Sequence, residues 1–425
     1  MQIFNLNGKK QFGKSLRSDF LIAEDYTPMN HGSYGTYPVQ VRAGFREYQD
    51  LAERSIDTWF KRGFYPVIHR AKEKLGELIH CDADELVFVT NTTFGINSIA
   101  RSLQFAPGDK ILMLSTIYDA MGSTLEYLRD SRVDVEIITV DPVYPLSDDD
   151  LVNMIEDAIL KEESKTGVTG GKIKMALIDA ITSVPGVRVP WERIVKLLRD
   201  HNILSLIDGA HAIGQIPLNL READPDFFVT NCHKWLFTVR GSAIIYVPKR
   251  NQYMVHPATI SSSYRNHPDK NDKSSTFQAE FNWHGTQDHS GYLSVFAALE
   301  YREALGGEEK IQEYCYKLAR DGGDKVAKIL GTEVMENKEK TLTVQMVNVR
   351  LPIKAHDGDG HYLDRFIDDG VYKYKCFVPV YKHHGTWYAR LSSQIYLDES
   401  DFETAGHSLK SICDDLEKER PKGKK

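Results

Sequence analysis

Between positions 86 and 247 the sequence alternates short apolar, β-branched runs with longer polar stretches of helical character, and this alternation constrains the fold more than any other feature. The apolar runs cover residues 86–90, 111–114, 135–140, 175–182, 204–208, 227–231 and 242–247. Strands that alternate with helices at this spacing predict a mainly parallel sheet covered on both faces. The last connection has only about ten residues, too few for a parallel crossover, so we expect the seventh strand to run antiparallel.

After Gly291 the pattern changes to grouped helices and strands, which is typical of an α+β unit. Helices are predicted over 292–305 and 313–330 and from Asp398 onward, with strands over 341–351, 376–381 and 387–395. The predicted class is therefore α/β, with a seven-stranded, mainly parallel sheet in a large domain (42–285) and a smaller α+β domain (1–41 and 286–425). A polar stretch at 266–275 contains Pro268 and predicts a loop.

Composition and charge exclude several classes of protein. Hydrophobic residues make up 41% of the 425 residues and charged residues 27%, which argues against a disordered or fibrous chain. The net charge is -7 and the basic run is confined to the C-terminus, so nucleic acid is not an expected partner. We expect neither a secretory signal nor a membrane span. The five cysteines show no CxxC or metal-like spacing, which predicts free thiols, no metal site and a cytoplasmic location.

Ligands of an open parallel sheet bind at the carboxyl ends of its strands, so the residues after each predicted strand are the first candidates for a site. After the first strand, residues 90–95 (Thr-Asn-Thr-Thr-Phe-Gly) open a predicted helix, whose free amides and positive dipole end suit a phosphate. Thr92 and Thr93 are therefore candidate phosphate contacts. Helix capping alone also explains Asn or Thr at such a position.

Two charged residues follow apolar strands, where packing alone explains them poorly. Asp208 ends the fifth strand; a lone buried carboxylate needs a cationic partner, and a protonated pyridine nitrogen would supply one. A capping role for the segment that begins at Ala210 explains Asp208 equally well. Lys234 follows the sixth strand, and lysine is seldom buried without a partner. Desolvation would lower its pKa, as an amine requires to form an imine and to act as a base.

Together these residues resemble a known family. Asp208-Gly-Ala-His211 and Asn231-Cys-His-Lys234 resemble the fold-type-I pyridoxal-phosphate enzymes of the class V aminotransferase group. The segments 29–33 (Met-Asn-His-Gly-Ser), 231–237 (Asn-Cys-His-Lys-Trp-Leu-Phe) and 389–392 (Ala-Arg-Leu-Ser) look most like its fungal isopenicillin-epimerase-like branch, which includes ergothioneine carbon-sulfur lyases and a loline-pathway enzyme. The resemblance covers nearly the whole chain and specifies the cofactor better than the reaction.

The resemblance implies a role for each matching residue. Lys234 would hold pyridoxal phosphate as a Schiff base, Asp208 would pair with its pyridine nitrogen, and Tyr118 would stack on its ring. The cofactor's phosphate would be held by Thr92, Thr93, Asn231 and His233, and the phosphate in the neighbouring subunit would be contacted by Thr286. The cofactor's phenolic oxygen would lie near Thr182 and His211. The implied substrate contacts are Arg390 for the carboxylate, and Asn30, His31 and Ser33. The role of Thr286 requires a homodimer with shared active sites.

Several of these positions leave the reaction open. Many relatives have histidine where this chain has Tyr118 and glutamine where it has His211. Without the family context, Tyr118 is equally explained as a packing aromatic, and Arg390 as a surface cation. The pocket mouth is predicted to include His31, Ser33 and Tyr34, with Trp59 or Tyr65 as further candidates; packing of the N-terminal segment explains all five equally well.

The branch resemblance favours β-elimination from an S-substituted cysteine or its sulfoxide, as in ergothioneine biosynthesis, with release of a sulfur fragment, pyruvate and ammonia. A cysteine desulfurase is the main alternative, with Cys376 as the nucleophile and Lys373 and Lys375 lowering its pKa, although a structural Cys376 is favoured. Epimerisation or cyclisation of an amino acid is a third possibility. A nucleotide-binding Rossmann protein or a non-catalytic scaffold also remains open, but no GxGxxG follows the first strand.

Overall fold

The computed structural model describes residues 11–131, 135–165, 171–264, 276–356 and 358–419. The loop predicted at 266–275 lies outside these residues, as does the basic C-terminal run beyond Lys418. In the described part of the chain, no helix is both long and apolar enough to cross a membrane.

A seven-stranded sheet forms the framework of the larger part of the chain. Its strands are β1 (Leu86–Val89), β2 (Lys110–Leu114), β3 (Glu136–Val140), β4 (Ile173–Asp179), β5 (Leu204–Asp208), β6 (Phe227–Asn231) and β7 (Ala243–Tyr246). They are arranged in the order β1-β7-β6-β5-β4-β2-β3. Strands β2 to β6 pair in parallel, whereas β7 is antiparallel to both β1 and β6. The α/β class and the antiparallel seventh strand are both confirmed.

Helices pack on both faces of this sheet and continue into the C-terminal region. They are α1 (His31–Tyr34), α2 (Val39–Arg54), α3 (Phe64–Ile79), α4 (Thr92–Ser102), α5 (Asp119–Ser131), α6 (Asp148–Glu163), α7 (Trp191–Asp200), α8 (Leu220–Ala223), α9 (Cys232–Trp235), α10 (Phe277–Asn282), α11 (Ser290–Ala304), α12 (Gly307–Leu330), α13 (His361–Asp368) and α14 (Glu399–Glu419). Shorter helical segments, of which Ile56–Thr58 is a single α-helical turn and the others are 3-10 or π-helical, occupy Lys14–Asp19, Ile56–Thr58, Trp59–Gly63, Ala83–Glu85, Lys249–Met254 and Asp369–Lys373.

The sheet is buried on both faces because successive strand residues belong to different apolar layers. In β5, for example, Ile207 joins one apolar cluster and Leu206 the other. Burial of a large apolar side chain contributes about 1.5–3 kcal/mol, so a strand that is apolar at every position is stabilised from both sides. This explains why the strands read as continuous apolar runs rather than as alternating patterns.

The C-terminal region contains a separate antiparallel sheet of β8 (Met346–Lys354), β9 (Val380–His383) and β10 (Thr386–Ser392) in the order β8-β10-β9. This sheet shares an apolar cluster with α12 and α14 that includes Val347, Leu391 and Phe402. The predicted domain boundaries remain a prediction. Helix α2 crosses the boundary proposed at residue 42, and a Cβ on Gly44 would lie 2.9 Å from the side chain of Ala297 on α11.

Strands β4 and β8 differ from their predicted bounds, and hydrogen bonds explain both differences. Strand β4 ends at Asp179 rather than at 182 because the chain folds back, with the Thr182 amide donating to the Val187 carbonyl at 3.0 Å. Strand β8 begins at Met346 rather than at 341. The amides of Leu342 and Thr343 instead donate to the carboxylate of Glu336, each at 3.0 Å.

The other differences concern the ends of the small sheet and its helices. The strands predicted at 376–381 and 387–395 are observed at Val380–His383 and Thr386–Ser392. Helix α13 was not predicted, and α12 begins at Gly307 rather than at 313. Glu308 and Glu309 occupy its first turn, where acidic residues favour a helix start.

Candidate active site

The carboxyl ends of β4, β5 and β6 and the start of α4 surround one cavity of about 280 Å³. Its walls are formed by Gly32, Ser33, Tyr34, Asn91, Thr92, Thr93, Tyr118, Met121, Asp179, Ser183, Asp208, Ala210, His211, Asn231, His233 and Lys234. Most of the predicted site residues are among them. A larger cavity of about 590 Å³, near residues 213–218 and the start of α12, contains none of them.

Lys234 lies on α9, immediately after β6, with Nζ 3.0 Å from Nε2 of His211. Trp235 Nε1 donates to Nδ1 of the same imidazole at 3.2 Å. Burial and the neighbouring Lys234 hold the pKa of His211 well below its ordinary value, so the ring is neutral. An indole N–H can only donate, so the imidazole proton lies on Nε2, which donates a hydrogen bond to Nζ of Lys234. The lysine amine must then be neutral to accept it.

The pKa of Lys234 agrees with this hydrogen-bond pattern. Desolvation lowers it to about 7, with a further decrease from the positive charge of Arg390; Asp208 and Asp179 act in the opposite direction. With a pKa of about 7 a substantial fraction of the amine is neutral near pH 7, and a neutral amine can act as a nucleophile or a base. The site therefore gives Lys234 the property that was predicted from its position after an apolar strand.

Asp208 is the last residue of β5 and is only 2% exposed. Its Oδ1 accepts a hydrogen bond from the Ala210 amide at 2.9 Å. Burial raises its pKa to about 6, while Ala210 and Lys234 lower it. Both sequence interpretations therefore describe part of the arrangement, because Asp208 caps the following turn and also presents a buried acid to the cavity.

The end of β6 is tied to the start of α4 by Asn231, whose Oδ1 accepts from the Thr92 amide at 3.0 Å. The hydroxyl of Thr92 is buried and has no hydrogen-bond partner in the part of the chain that the structure describes. His233 binds the Ser242 carbonyl through Nδ1 at 2.8 Å, and burial lowers its pKa to about 4. Thr93 also lines the cavity. These residues form a polar corner with unused hydrogen-bonding capacity at a helix N-terminus, which suits an anion.

Arg390 on β10 lies behind the cavity wall and is 2% exposed. Its Nη1 donates to the Ser183 carbonyl at 2.7 Å, and its Nη2 donates to Ser33 Oγ at 2.9 Å and to Asn30 Oδ1 at 3.1 Å. Its Nε has no partner, and no carboxylate among the described residues pairs with the guanidinium. Burial lowers its pKa to about 10, so the group stays charged near neutral pH. A surface role for Arg390 is therefore wrong.

The short helix α1 reaches the cavity because it packs directly on α9. Gly35, which follows it, has a φ of +62°, and a Cβ there would lie 1.9 Å from the His233 carbonyl oxygen. His31 Nε2 donates to the Lys234 carbonyl at 2.8 Å, and its Nδ1 lies 2.8 Å from the Tyr396 hydroxyl. Both ring nitrogens of His31 are thus occupied by protein groups. Its predicted contact with substrate stays a prediction.

Tyr118, Thr182 and Thr286 also keep their predicted roles only as predictions. Tyr118 lines the cavity and is 48% exposed, so part of its side chain is accessible from the cavity. Thr182 is not part of the wall, and its hydroxyl donates to the Pro185 carbonyl. Thr286 is exposed and lies outside the cavity wall.

The structure also gives the surroundings of three further candidates: Trp59, Tyr65 and Cys376. Trp59 is 6% exposed and packs against Tyr48 and Phe64, so it does not form the mouth of the cavity, and Tyr65 is likewise absent from the wall. Cys376 is 2% exposed, and burial raises its pKa to about 12. The expectation that Lys373 and Lys375 would lower this pKa is wrong, because desolvation is the largest effect and the thiol is inert.

Six residues of the wall were given no role in the sequence analysis: Gly32, Asn91, Met121, Asp179, Ser183 and Ala210. Asp179 carries a recognisable signal, because it is an acid that ends an apolar run (Met-Ala-Leu-Ile-Asp) just as Asp208 does. It was overlooked because β4 was predicted to continue to residue 182, which placed Asp179 inside the strand and not at its end. Ser183 carries no local signal, since it lies in the fold-back after β4.

The wall residues fit pyridoxal phosphate. A neutral, partly buried lysine amine suits the aldehyde, a buried acid suits the ring nitrogen, and the unpartnered Thr92 hydroxyl at the start of α4 suits the phosphate. Each of these features by itself also occurs in proteins that bind no such cofactor. Their convergence on one cavity is the observation that supports pyridoxal phosphate.

Comparisons with known proteins agree with this site. The family model for aminotransferase class-V matches residues 40–403. The L-cysteine desulfhydrase-like protein lolT1 of Epichloe uncinata is 33% identical, with 97% of this chain and 98% of the relative covered. The hercynylcysteine sulfoxide lyase of Schizosaccharomyces pombe is 31% identical, with 95% and 98% covered.

Solved structures show the same fold. A mutant of C-DES with glycine covalently linked to its PLP cofactor has a TM-score of 0.75 at 14% identity, with 94% of this chain and 99% of that chain covered. The apo cysteine desulfurase of Thermococcus onnurineus has a TM-score of 0.74 at 16% identity, with 96% and 99% covered. At such low identity the likeness concerns the fold alone.

Proposed function

Because this chain belongs to the aminotransferase class-V family, we propose that it is a pyridoxal-phosphate-dependent lyase that cleaves the carbon-sulfur bond of a cysteine derivative by β-elimination. Family membership confirms the resemblance expected from the motifs, and with it the cofactor. Relatives named as L-cysteine desulfhydrases support carbon-sulfur cleavage of cysteine or a derivative. The relative named as a sulfoxide lyase supports an S-substituted cysteine or its sulfoxide as substrate.

The observation that carries the proposal is a buried Arg390 with no acidic partner among the described residues, beside a neutral Lys234. A buried unpaired cation is costly, and the α-carboxylate of an amino acid offsets that cost with charge-assisted hydrogen bonds. The free Nε of Arg390 provides a donor for it. Arg390 therefore selects an α-amino acid and orients its α-carbon toward Lys234.

The chemistry then depends on which residues hold and move the proton. When bound, pyridoxal phosphate draws electrons away from the α-carbon and makes its proton removable. Lys234 would hold the cofactor, Asp208 would pair with its ring nitrogen and Thr92 would contact its phosphate. During turnover the Lys234 amine takes the α-proton, and His211 holds that amine in place through Nε2. The carbon-sulfur bond breaks with its electron pair leaving on sulfur, and addition of water yields pyruvate and ammonia.

A cysteine desulfurase would require a nucleophilic cysteine. Cys376, the candidate for that role, belongs to the apolar cluster of the C-terminal region, and its pKa of about 12 leaves almost no thiolate near neutral pH. Elimination needs no such group. The geometry therefore favours the lyase over the desulfurase.

We also propose a homodimer and a cytoplasmic location. The exposed position of Thr286 supports a role in the partner's site, which requires a second copy. All five cysteines are free and buried, as expected of a protein from a reducing compartment. Sedimentation of the purified protein tests the dimer, because a fully active monomer would exclude a shared site.

The experiment that tests the function is pyruvate release by the purified holoenzyme from S-substituted cysteines, their sulfoxides and free cysteine. We expect pyruvate from at least one of the substituted compounds, and none from the Lys234→Ala variant. Cys376→Ala serves as the matched control and should retain the activity. Formation of alanine instead of pyruvate from cysteine, dependent on Cys376, would overturn the lyase in favour of a desulfurase.

A further inference from the structure

Strands β4 and β5 end side by side in two buried aspartates. Asp179 and Asp208 are register partners across the parallel pair, and each is only 2% exposed. Residues paired across parallel strands send their side chains to the same face of the sheet, and both acids line the cavity. The two carboxyl groups therefore share one desolvated environment.

The surroundings offer too little positive charge for two carboxylates. The groups coupled to Asp179 are Asp208 at the end of β5, Lys234 on α9 and Tyr144 in the segment before α6. Among these described groups Lys234 is the cation, and its own pKa is lowered toward the neutral amine. Asp208 Oδ1 accepts from the Ala210 amide. Asp179 accepts a backbone hydrogen bond from its own amide, but its Oδ2 is buried with no partner among the described residues. Asp208 is thus the better stabilised anion.

Two like charges do not persist together in one apolar site, because their repulsion adds to a desolvation cost that already disfavours ionisation. Burial and the neighbouring Asp208 raise the pKa of Asp179 well above its ordinary value. Burial raises the pKa of Asp208 only to about 6. Near neutral pH the pair therefore retains one proton, and Asp179 is the residue that holds it.

We propose, on the basis of the cofactor assigned above, that Asp179 works as a neutral carboxylic acid, so that the acid pair presents a single negative charge, on Asp208, to the ring nitrogen. Asp179 is then a positioning residue that sets the charge of the site. Its neutrality also serves Lys234, because a second carboxylate so close would favour the protonated amine. The proton on Asp179 thus keeps the lysine available as a base.

The first test uses the cofactor-free protein. Infrared spectra recorded with and without carboxyl-¹³C-labelled aspartate report the carbonyl stretch of protonated aspartic acids. We expect such a band to persist at pH 8 in the wild type and to disappear in Asp179→Asn. Absence of the band in the wild type at pH 8 overturns the proposal without any variant, and so does a band that is unchanged in Asp179→Asn.

The second test is the affinity of the apoprotein for pyridoxal phosphate at pH 8. Asn has the shape of a neutral acid, so Asp179→Asn should bind within about threefold of the wild type, whereas the matched variant Asp208→Asn should bind about tenfold or more weakly. Equal weakening in both variants would mean that Asp179 is ionised as well as Asp208, and would overturn the proposal. Neither readout involves carbon-sulfur cleavage, so a failure of the lyase assignment is distinguishable from a failure here.

Discussion

Lys234 lines the cavity and Arg390 lies behind its wall, yet desolvation gives the two groups opposite properties. The pKa of Lys234 falls from 10.5 to about 7, and that of Arg390 falls from 12.5 to about 10. Near neutral pH the lysine is therefore substantially neutral, whereas the arginine keeps its charge. The same desolvation produces a base on one side of the cavity and an anion receptor on the other, because the two groups start from different pKa values.

Hydrogen bonds reinforce the difference between the two sides. Lys234 Nζ accepts a hydrogen bond from Nε2–H of neutral His211, which an ammonium group could not do because it has no acceptor. The guanidinium of Arg390 instead donates to Ser183, Ser33 and Asn30, all of them neutral acceptors that a substrate carboxylate can replace. The first side is thus arranged for proton transfer and the second for recognition.

Replacing Lys234 by Ala is expected to have the largest effect, a loss of pyruvate release of at least about 10⁴-fold, because the substitution removes both the cofactor anchor and the base. Steady-state rates with the best substrate of the panel measure it. Lys72 is the matched control, since it is a buried lysine that contacts Gln278, away from the cavity. Lys72→Met should change stability rather than turnover; activity lost equally in both variants would contradict a specific role for Lys234.

Arg390→Lys tests the recognition side. A lysine keeps the charge but loses the planar fork, so kcat/KM should fall about 10²-fold, or ~3 kcal/mol, chiefly through a higher KM. The absorbance of bound cofactor should be unchanged, because Arg390 lies behind Ser33 and Ser183 rather than in the cofactor corner. Loss of the cofactor from this variant would show that Arg390 contributes to cofactor binding as well as to substrate recognition.

Substitutions of His211 are expected to have a smaller effect on turnover than those of Lys234 and Arg390. His211→Gln retains an N–H donor toward Lys234 and should lower kcat by less than about tenfold. His211→Leu removes the donor and should lower kcat by more, because one hydrogen bond to a reacting group is worth about 1–2 kcal/mol. Comparison of kcat for the two variants measures the contribution of that bond. Equal rates in both would mean that His211 only fills space.

Cys376→Ala should have the smallest effect on turnover. The thiol is buried in the apolar cluster of the C-terminal region, so the substitution should cost about 1 kcal/mol of unfolding free energy and leave pyruvate release within twofold of the wild type, about 0.4 kcal/mol at most. Urea unfolding and a parallel activity assay measure both quantities. A severe loss of activity in a stably folded variant would return the desulfurase to consideration.

The sequence predicted the cofactor side better than the substrate side, for a physical reason. Asp208 and Lys234 directly follow buried strands, so their positions come from local patterns that also define the sheet. Arg390 is brought to the cavity by contacts with Asn30 and Ser33, 360 and 357 residues away along the chain. Strand patterns carry no information about such distant pairs, and the family resemblance alone placed Arg390 near the substrate.

The errors in strand length have the same origin. Side chains and turns compete with the sheet for backbone amides, as Glu336 does at Leu342 and Thr343, and apolar periodicity does not register that competition. The fold-back after β4 had the larger consequence, because it makes Asp179 a strand end beside Asp208. The acid pair was therefore missed although both aspartates carry the same local signal.

The most direct test of the central claim, that desolvation makes Lys234 a neutral amine, is the rate at which the apoprotein captures pyridoxal phosphate covalently as a function of pH. Only the neutral amine reacts, so we predict a rate that rises with pH and reaches half its maximum near pH 7, following the pKa of Lys234. Arg390→Gln should move that midpoint upward, because it removes a positive charge that disfavours the protonated lysine. A midpoint near the ordinary lysine value of 10.5 would contradict the account.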